Sequence, residues 1–497
     1  MLSLSFLSGS ICNGVLDSSD VHFGPRRLRQ RGRVARKTAA WMVVSAGKEV
    51  STEWNPLQLG IKAVAVGKFG SKPIPEELEQ PIRSTLEGIW TSLVNGKDRE
   101  AWYELLVQRA SFLGSLFVKH TLLPHEGRIL ASEVRGRVTS ESRSGRDRDG
   151  MCSAGEILEL VSPTLRILDP YLYQLIIRLL GGNSLNREDS QVVGSFLFKK
   201  NQMRDLDMDP LRALVAHVMR VKHETSDELC GLVEAALGST PLLSSRDNDA
   251  SRPAVHLAEP FDGVEHSFLV TPLIAHHLSR KWSLRTSYIA GSSNPGPKRG
   301  FNVKDLMLSL SKFTITSDVY FGEFFDIEDH HPGLGNWLDL RRSILKRPGI
   351  AMVEKFVHDD AANILITSVF HGSVGSKMLD MSVAAGFNAA VVAHRGLEGS
   401  LSLPVHVSSK PVFQCQYLDR QRNICLRTIE FASGYDTKYE ETPRPQQVDA
   451  EENARLVFEF AQTGASSNPD FDTLAKRTLD GIDAAFQLLH AETPLFD

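Results

Sequence analysis

"LRALVAHVMRVKHETSDELCGLVEAAL", Leu211 to Leu237, decides how this chain is read. Its apolar residues recur at three- and four-residue spacings, which predicts helices. The pattern breaks at Lys222-His223-Glu224-Thr225. Thr225 followed three residues later by Glu228 is a capping-box pattern, in which hydroxyl and carboxylate each satisfy an orphan N–H of the new helix. The stretch therefore reads as two helices joined by a sharp turn. A similar passage lies upstream. Phe112–Gly127 resembles Leu214–Gly231, with Val-Lys-His after an apolar helix at Val118–His120 and at Val221–His223, and Glu and Gly following in each. The match predicts a duplicated helical unit. Two unrelated amphipathic helices would give the same pattern, and both readings stay open here.

Outward from this stretch the chain changes character twice. Residues 75–132 read as helices, and residues 60–134 form an extra helical region. A polar linker follows at residues 135–153, with nothing apolar to bury. A helical domain then spans residues 154–240. "LLSSRDNDASRP" separates it from residues 254–490, where "AVHLAEP", "LRTSYIAG", "ANILITSVF" and "NAAVVAHRG" read as strands. "FLVTPLIAHHLSRKW", "NVKDLMLSLSKF" and "SKMLDMSVAAGF" read as the helices between them. Strands alternating with helices predict an α/β domain with a largely parallel central sheet, closed by C-terminal helices. "IKAVAV", residues 61–66, reads as a further short strand before "GKFGSKP", which lacks the spacing of a phosphate-binding loop.

The chain has 497 residues, enough for two or three domains. No apolar run reaches the roughly 18 residues of a membrane span. Five cysteines without a CxxC pair read as reduced structural thiols. The N-terminus stands apart. "MLSLSFLSGS" is apolar and Ser-rich, and "PRRLRQRGRVARK" carries seven basic residues and no acid. That is the composition of an organelle transit peptide, residues 1–46, which implies the plastid stroma first and the mitochondrion second. A basic tail for nucleic acid is the other reading. Removing the segment's net +5 from the chain's −4 leaves −9. An acidic mature chain lacks the broad drive toward nucleic acid.

"NSLNREDSQVVGSFLFKK" and the quoted stretch together resemble the N-terminal helical domain of the anthranilate phosphoribosyltransferase family (glycosyltransferase family 3). "HHPGLGNWLDLRRSILKRPG" is similar to that family's His-Pro, Arg-Arg segment, through His331, Pro332, Arg341, Arg342 and Arg347. The run Glu452-Asn453-Ala454 fits the start of its C-terminal helices. The resemblance covers about residues 168–490. It implies a nucleoside phosphorylase/phosphoribosyltransferase-like fold and a homodimer through the helical domain. It also implies pentosyl transfer from phosphoribosyl pyrophosphate to an amine, in tryptophan biosynthesis, with Mg²⁺ only if that donor is used. Catalysis of that kind consists of positioning and charge stabilisation.

The family's phosphate motifs are altered here. Its Gly-rich pyrophosphate loop falls on Ala258-Glu259-Pro260-Phe261-Asp262, followed by Gly263. Glu repels an anion and Pro has no N–H to donate. Of the next motif only Thr271 is kept. The family's Lys-His-Gly-Asn-Arg loop falls on "YIAGSSNPGPKRG", Tyr288 to Gly300. There Gly291, Ser292, Ser293, Lys298 and Arg299 offer backbone, hydroxyl and cationic groups to a phosphate. The stretch reads equally as a plain turn. Arg341 and Arg347 are candidates for a carboxylate or phosphate, which suits a forked guanidinium. The acidic metal pair becomes Leu401-Ser402, leaving Glu398 as a weak metal ligand. No catalytic residue is assigned. A second reading follows from a bacterial branch of the family that lacks these motifs and binds nucleic acid. Its loop resembles Phe261-Asp262-Gly263 and Thr271-Pro272-Leu273. On it, the fold would be kept and the cleft would bind nucleic acid, nucleotide or another anion. A phosphate-containing small molecule is the partner expected first, and no membrane.

Overall fold

A computed structural model describes residues 54–65, 70–94, 102–119, 121–135, 152–200, 204–238, 253–264, 267–291, 300–314, 319–345, 349–358, 362–370, 374–394, 400–403, 412–430 and 448–496. Ten helices come first: α1 (Pro56–Val64), α2 (Glu79–Val94), α3 (Tyr103–Phe117), α4 (Pro124–Val134), α5 (Ala154–Val161), α6 (Leu165–Leu168), α7 (Pro170–Leu180), α8 (Arg187–Leu197), α9 (Asp209–Lys222) and α10 (Ser226–Gly238). The α/β part follows with β1 (Ala254–Ala258), α11 (Thr271–Trp282), β2 (Arg285–Ala290), α12 (Val303–Thr314), β3 (Glu323–Asp326), α13 (Ile327–His330), α14 (Pro332–Ser343) and α15 (Ile350–Val353). It ends with β4 (Ala362–Val369), α16 (Gly375–Ala384), β5 (Ala389–His394), β6 (Val412–Leu418), β7 (Ile424–Glu430), α17 (Ala450–Thr463) and α18 (Pro469–Glu492).

The expected α/β class is what the chain adopts. Seven strands form one sheet in the order β3-β2-β1-β4-β5-β6-β7. The first five are mutually parallel, and β6 and β7 extend the sheet antiparallel. β1 is buried along its whole length. Strands covered on both faces read as continuous apolar runs, which is why β1, β4 and β5 were legible. β3 has only four residues, and the β6–β7 hairpin leaves Ile424 and Leu426 exposed. β3 is too short to give a periodic signal, whereas β6 alternates buried Phe413, Cys415 and Tyr417 with partly exposed Gln414 and Gln416, the period of a strand. The strand read at residues 61–66 is corrected: Ile61–Val64 are the last turn of α1. Asn55 and Gln58 close a capping box at its start, and Leu57, Ile61 and Val64 make one buried stripe.

The helical part meets the sheet through α10, which packs on α15 and α16. The capping box read at its start is present: Thr225 Oγ accepts from the Glu228 N–H at 3.2 Å, and the Glu228 carboxylate accepts from the Thr225 N–H at 2.8 Å. The four described cysteines form no disulfide among themselves. No helix among the described residues is long and apolar enough to cross a membrane.

Candidate functional site at the end of strand β1

In an open parallel sheet, ligands enter where the chain turns in opposite directions from two adjacent strands. Here those strands are β1 and β4, since β2 lies to one side of β1 and β5 on the far side of β4. A ligand site of that kind would lie between the chain after Ala258 and the chain after Val369.

The turn after β1 points inward. Residues 254–264 are all buried. The Glu259 carboxylate accepts from the Thr271 hydroxyl at the head of α11 and from the Leu401 N–H at 3.2 Å. Burial pushes its pKa up to about 7, an effect that the Thr271 hydroxyl, the Leu401 N–H, the Lys355 ammonium and Ser400 only partly offset. The neighbouring segment is closed in the same way. Ser368 donates to the Ser400 carbonyl at 2.6 Å, Ser402 donates to the Phe268 carbonyl at 3.1 Å, and the Leu403 N–H reaches Thr478 Oγ at 2.9 Å. Lys355, itself buried, donates to the Ser368 carbonyl at 3.3 Å.

A second network begins at Asp262. Arg341 is 2% exposed. One arm of its guanidinium donates to Asp262 Oδ1 at 2.6 Å and the other to Glu354 Oε2. The other Glu354 oxygen accepts from Trp337 Nε1 at 2.7 Å. Two carboxylates thus compensate one guanidinium out of water, which a buried charge requires. Gly263 then turns with φ +70°, and a Cβ there would run into the Phe301 carbonyl. Only glycine takes this position without strain.

Asn302 ties Gly291, at the exit of β2, to the turn after β1. Its Nδ2 donates to the Gly291 carbonyl at 3.1 Å and to the Phe261 carbonyl at 3.3 Å. Its Oδ1 accepts from the Lys304 N–H at 2.9 Å, capping α12. The exit of β2 is thereby held beside Asp262 and Gly263.

No protein-family model matches the chain. It is 25% identical over 183 residues to an uncharacterized protein of Aquifex aeolicus (strain VF5), 37% of this chain. It spans 55% of that relative's length. Among solved structures it is similar to anthranilate phosphoribosyltransferase from Saccharomyces cerevisiae in complex with PRPP and Mg, at TM-score 0.46 and 14% identity, covering 65% of this chain and 94% of that one. It is also similar to anthranilate phosphoribosyltransferase (TrpD) from Thermus thermophilus, at TM-score 0.42 and 14% identity, covering 63% and 89%.

Of the residues singled out in the sequence, Asp262, Gly263, Thr271, Gly291 and Arg341 come together at this end of the sheet. Thr271 is engaged by Glu259, and Arg341 by Asp262 and Glu354, so their polar groups face one another. Ser292, Ser293, Lys298, Arg299, Arg347 and Glu398 lie outside the described residues. The positions to which the resemblance assigns a metal pair do not suit Mg²⁺. Leu401 and Ser402 supply no carboxylate, both are buried, and the Leu401 N–H is committed to Glu259. No group of three or more His, Cys, Asp or Glu that could hold a metal occurs among the described residues. His331 serves structure: it bonds the Ala236 carbonyl at 2.9 Å and accepts from the Leu334 N–H.

Sequence reading missed three residues. Glu259 reads in the sequence as a charge that would repel an anion, whereas it turns into the core. Glu354 gave no local signal. Asn453 was seen only as part of a helix start, yet it exchanges two hydrogen bonds of 2.9 Å with the backbone of Leu269. Asn302, directly before a helical run, was readable as a cap.

Proposed function

We propose that this chain is a binding protein built on a phosphoribosyltransferase-like architecture, with the pyrophosphate and magnesium chemistry given up. One observation supports this above the others. The turn where a pyrophosphate cradle would lie is closed by Glu259, whose carboxylate is satisfied internally by Thr271 and Leu401. A cradle needs free N–H groups aimed at an anion. Here a carboxylate takes the Leu401 N–H, and Pro260 has none to give. The ligand on this reading is a phosphate-bearing small molecule received by the segment that follows Gly291, with Lys298 and Arg299 as its cations. The acidic charge of the chain without residues 1–46 favours this over nucleic acid. Residues 1–46 direct the protein to the plastid, which a fusion of that segment to a fluorescent protein tests by its location.

A second reading has one observation in its favour. Asn302 holds Gly291, at the exit of β2, against Phe261 in the turn after β1, and an enzyme that shares one phosphoribosyl group between two loops needs that proximity. On that reading the chain transfers a pentosyl group from phosphoribosyl pyrophosphate to an amine such as anthranilate. Isothermal titration of the folded full chain with phosphoribosyl pyrophosphate, with and without Mg²⁺, separates the two. Binding that needs Mg²⁺ supports the transferase and sinks the first reading. Binding of inorganic phosphate or a mononucleotide without Mg²⁺, lost in the Lys298→Ala/Arg299→Ala variant, supports the binding protein.

A further inference from the structure

Two parts of the helical region are built alike. Lys119 lies just beyond the end of α3 and Lys222 ends α9, 103 residues on. Each ammonium grips a carboxylate buried in the next helix: Lys119–Glu126 at 2.7 Å and Lys222–Glu228 at 2.6 Å. Each carboxylate also accepts the N–H three residues before it, from Leu123 at 2.9 Å and from Thr225 at 2.8 Å. Each accepts one more N–H from the loop after the unit's first helix, Ile74 at 2.9 Å and Leu185 at 2.9 Å. The helix order is the same as well. α1, α2, α3 and α4 stand to Glu126 as α7, α8, α9 and α10 stand to Glu228. Buried charges are satisfied only by a specific arrangement of donors, so two independent helical hairpins have no reason to repeat all three.

The two units also meet through equivalent helices, α3 on α9. Ser115 Oγ and His217 Nδ1 lie 3.0 Å apart. Gly114 lies against Val218, where an added Cβ would come within 3.0 Å of Val218 Cγ2. At the same offset of 103, Gly114 corresponds to His217 and Ser115 to Val218. Exchanging the units turns the first contact into the second. That reciprocity, residue i on j and j on i, is the mark of a two-fold, self-complementary interface.

We propose that residues 55–134 and 169–238 are two copies of one helical unit, paired within the chain about a pseudo-two-fold axis between α3 and α9. The face of α9 fits another copy of the same unit, and the chain supplies that copy itself. The protein is then a monomer, one α/β domain serving two helical units, in place of the homodimer that the sequence resemblance implies. The second copy also grips the α/β domain through Lys377, which donates to the Glu224 carbonyl at the turn between α9 and α10.

The test uses the full chain. Multi-angle light scattering is expected to give the mass of one chain. The variant Gly114→Cys/Val218→Cys, oxidised and compared with each single variant, is expected to form its cross-link within one chain. The linked peptides should then appear at one-chain mass on a non-reducing gel. A two-chain mass for the wild type, or a covalent two-chain product, overturns the proposal. So does a folded, monomeric double variant that forms no cross-link. Should the double variant fail to fold, the wild-type mass decides alone.

Discussion

Glu126, in the helical part, and Glu259, at the end of β1, are both buried carboxylates. At Glu126 burial works to raise the pKa but is outweighed by the Lys119 ammonium and the N–H groups of Ile74 and Leu123. The group lies below its ordinary value. Glu259 has the Thr271 and Ser400 hydroxyls and the Leu401 N–H beside it, with the Lys355 charge acting through space, and burial prevails. The difference shows what a buried carboxylate is for. Paired with an ammonium it is ionised and clamps two helices. Held by neutral donors it binds its proton near neutrality, and it ties the turn after β1 to Thr271 and Leu401.

The largest effect should come from breaking a clamp. Glu228→Ala leaves the Lys222 ammonium buried and strands the N–H groups of Leu185 and Thr225. Urea unfolding should show a loss of about 3–5 kcal/mol. A loss below about 1 kcal/mol would mean that Lys222 escapes to water and that the clamp is not closed in solution.

Next comes the sign of the pH dependence. For Glu259 the folded pKa, about 7, lies above the ordinary 4.5. The folded state holds the proton more tightly, so its contribution is complete below about 4.5 and is lost as pH rises through 7. For Glu126 the sign is opposite: its contribution is present above the ordinary value and is lost as pH falls through the lower, folded one. Glu259→Gln should remove the first slope, gaining roughly 3 kcal/mol on the wild type between about pH 5 and pH 8. Parallel stability profiles for wild type and variant would erase the contrast between the two carboxylates.

Two smaller effects sharpen it. Gly263→Ala places a Cβ against the Phe301 carbonyl at positive φ, and should cost about 1–3 kcal/mol in the same assay. An unchanged midpoint would show that the turn after β1 gives way more easily than its burial suggests. Thr225→Ala removes one half of a capping box and should cost about 1 kcal/mol, with the Lys222–Glu228 pair intact. A loss as large as that of Glu228→Ala would mean that the hydroxyl, rather than the ion pair, holds the turn.

Much of the fold was legible because it is local. The helices around Thr225, the cap at Glu228 and the buried strands β1, β2, β4 and β5 depend on residues within a few positions of one another. The same reasoning misplaced residues 61–66, where the cap at Asn55 outweighed an apolar run. The candidate site was legible only as positions. Asp262, Thr271, Gly291 and Arg341 do converge, but their partners could not be read. Arg341 lies 79 residues from Asp262, and Glu259 lies 142 residues from Leu401.

By itself, then, the sequence determined the order of elements, the α/β class and the helix caps. Tertiary structure alone decided that Glu259 turns inward, that Arg341 is held by Asp262 and Glu354, that β6 and β7 extend the sheet antiparallel, and that α3 lies on α9. Caps and apolar periodicity are fixed by neighbours along the chain. The partner of a buried charge is fixed by whichever distant group is left without water beside it, and only the folded chain sets that.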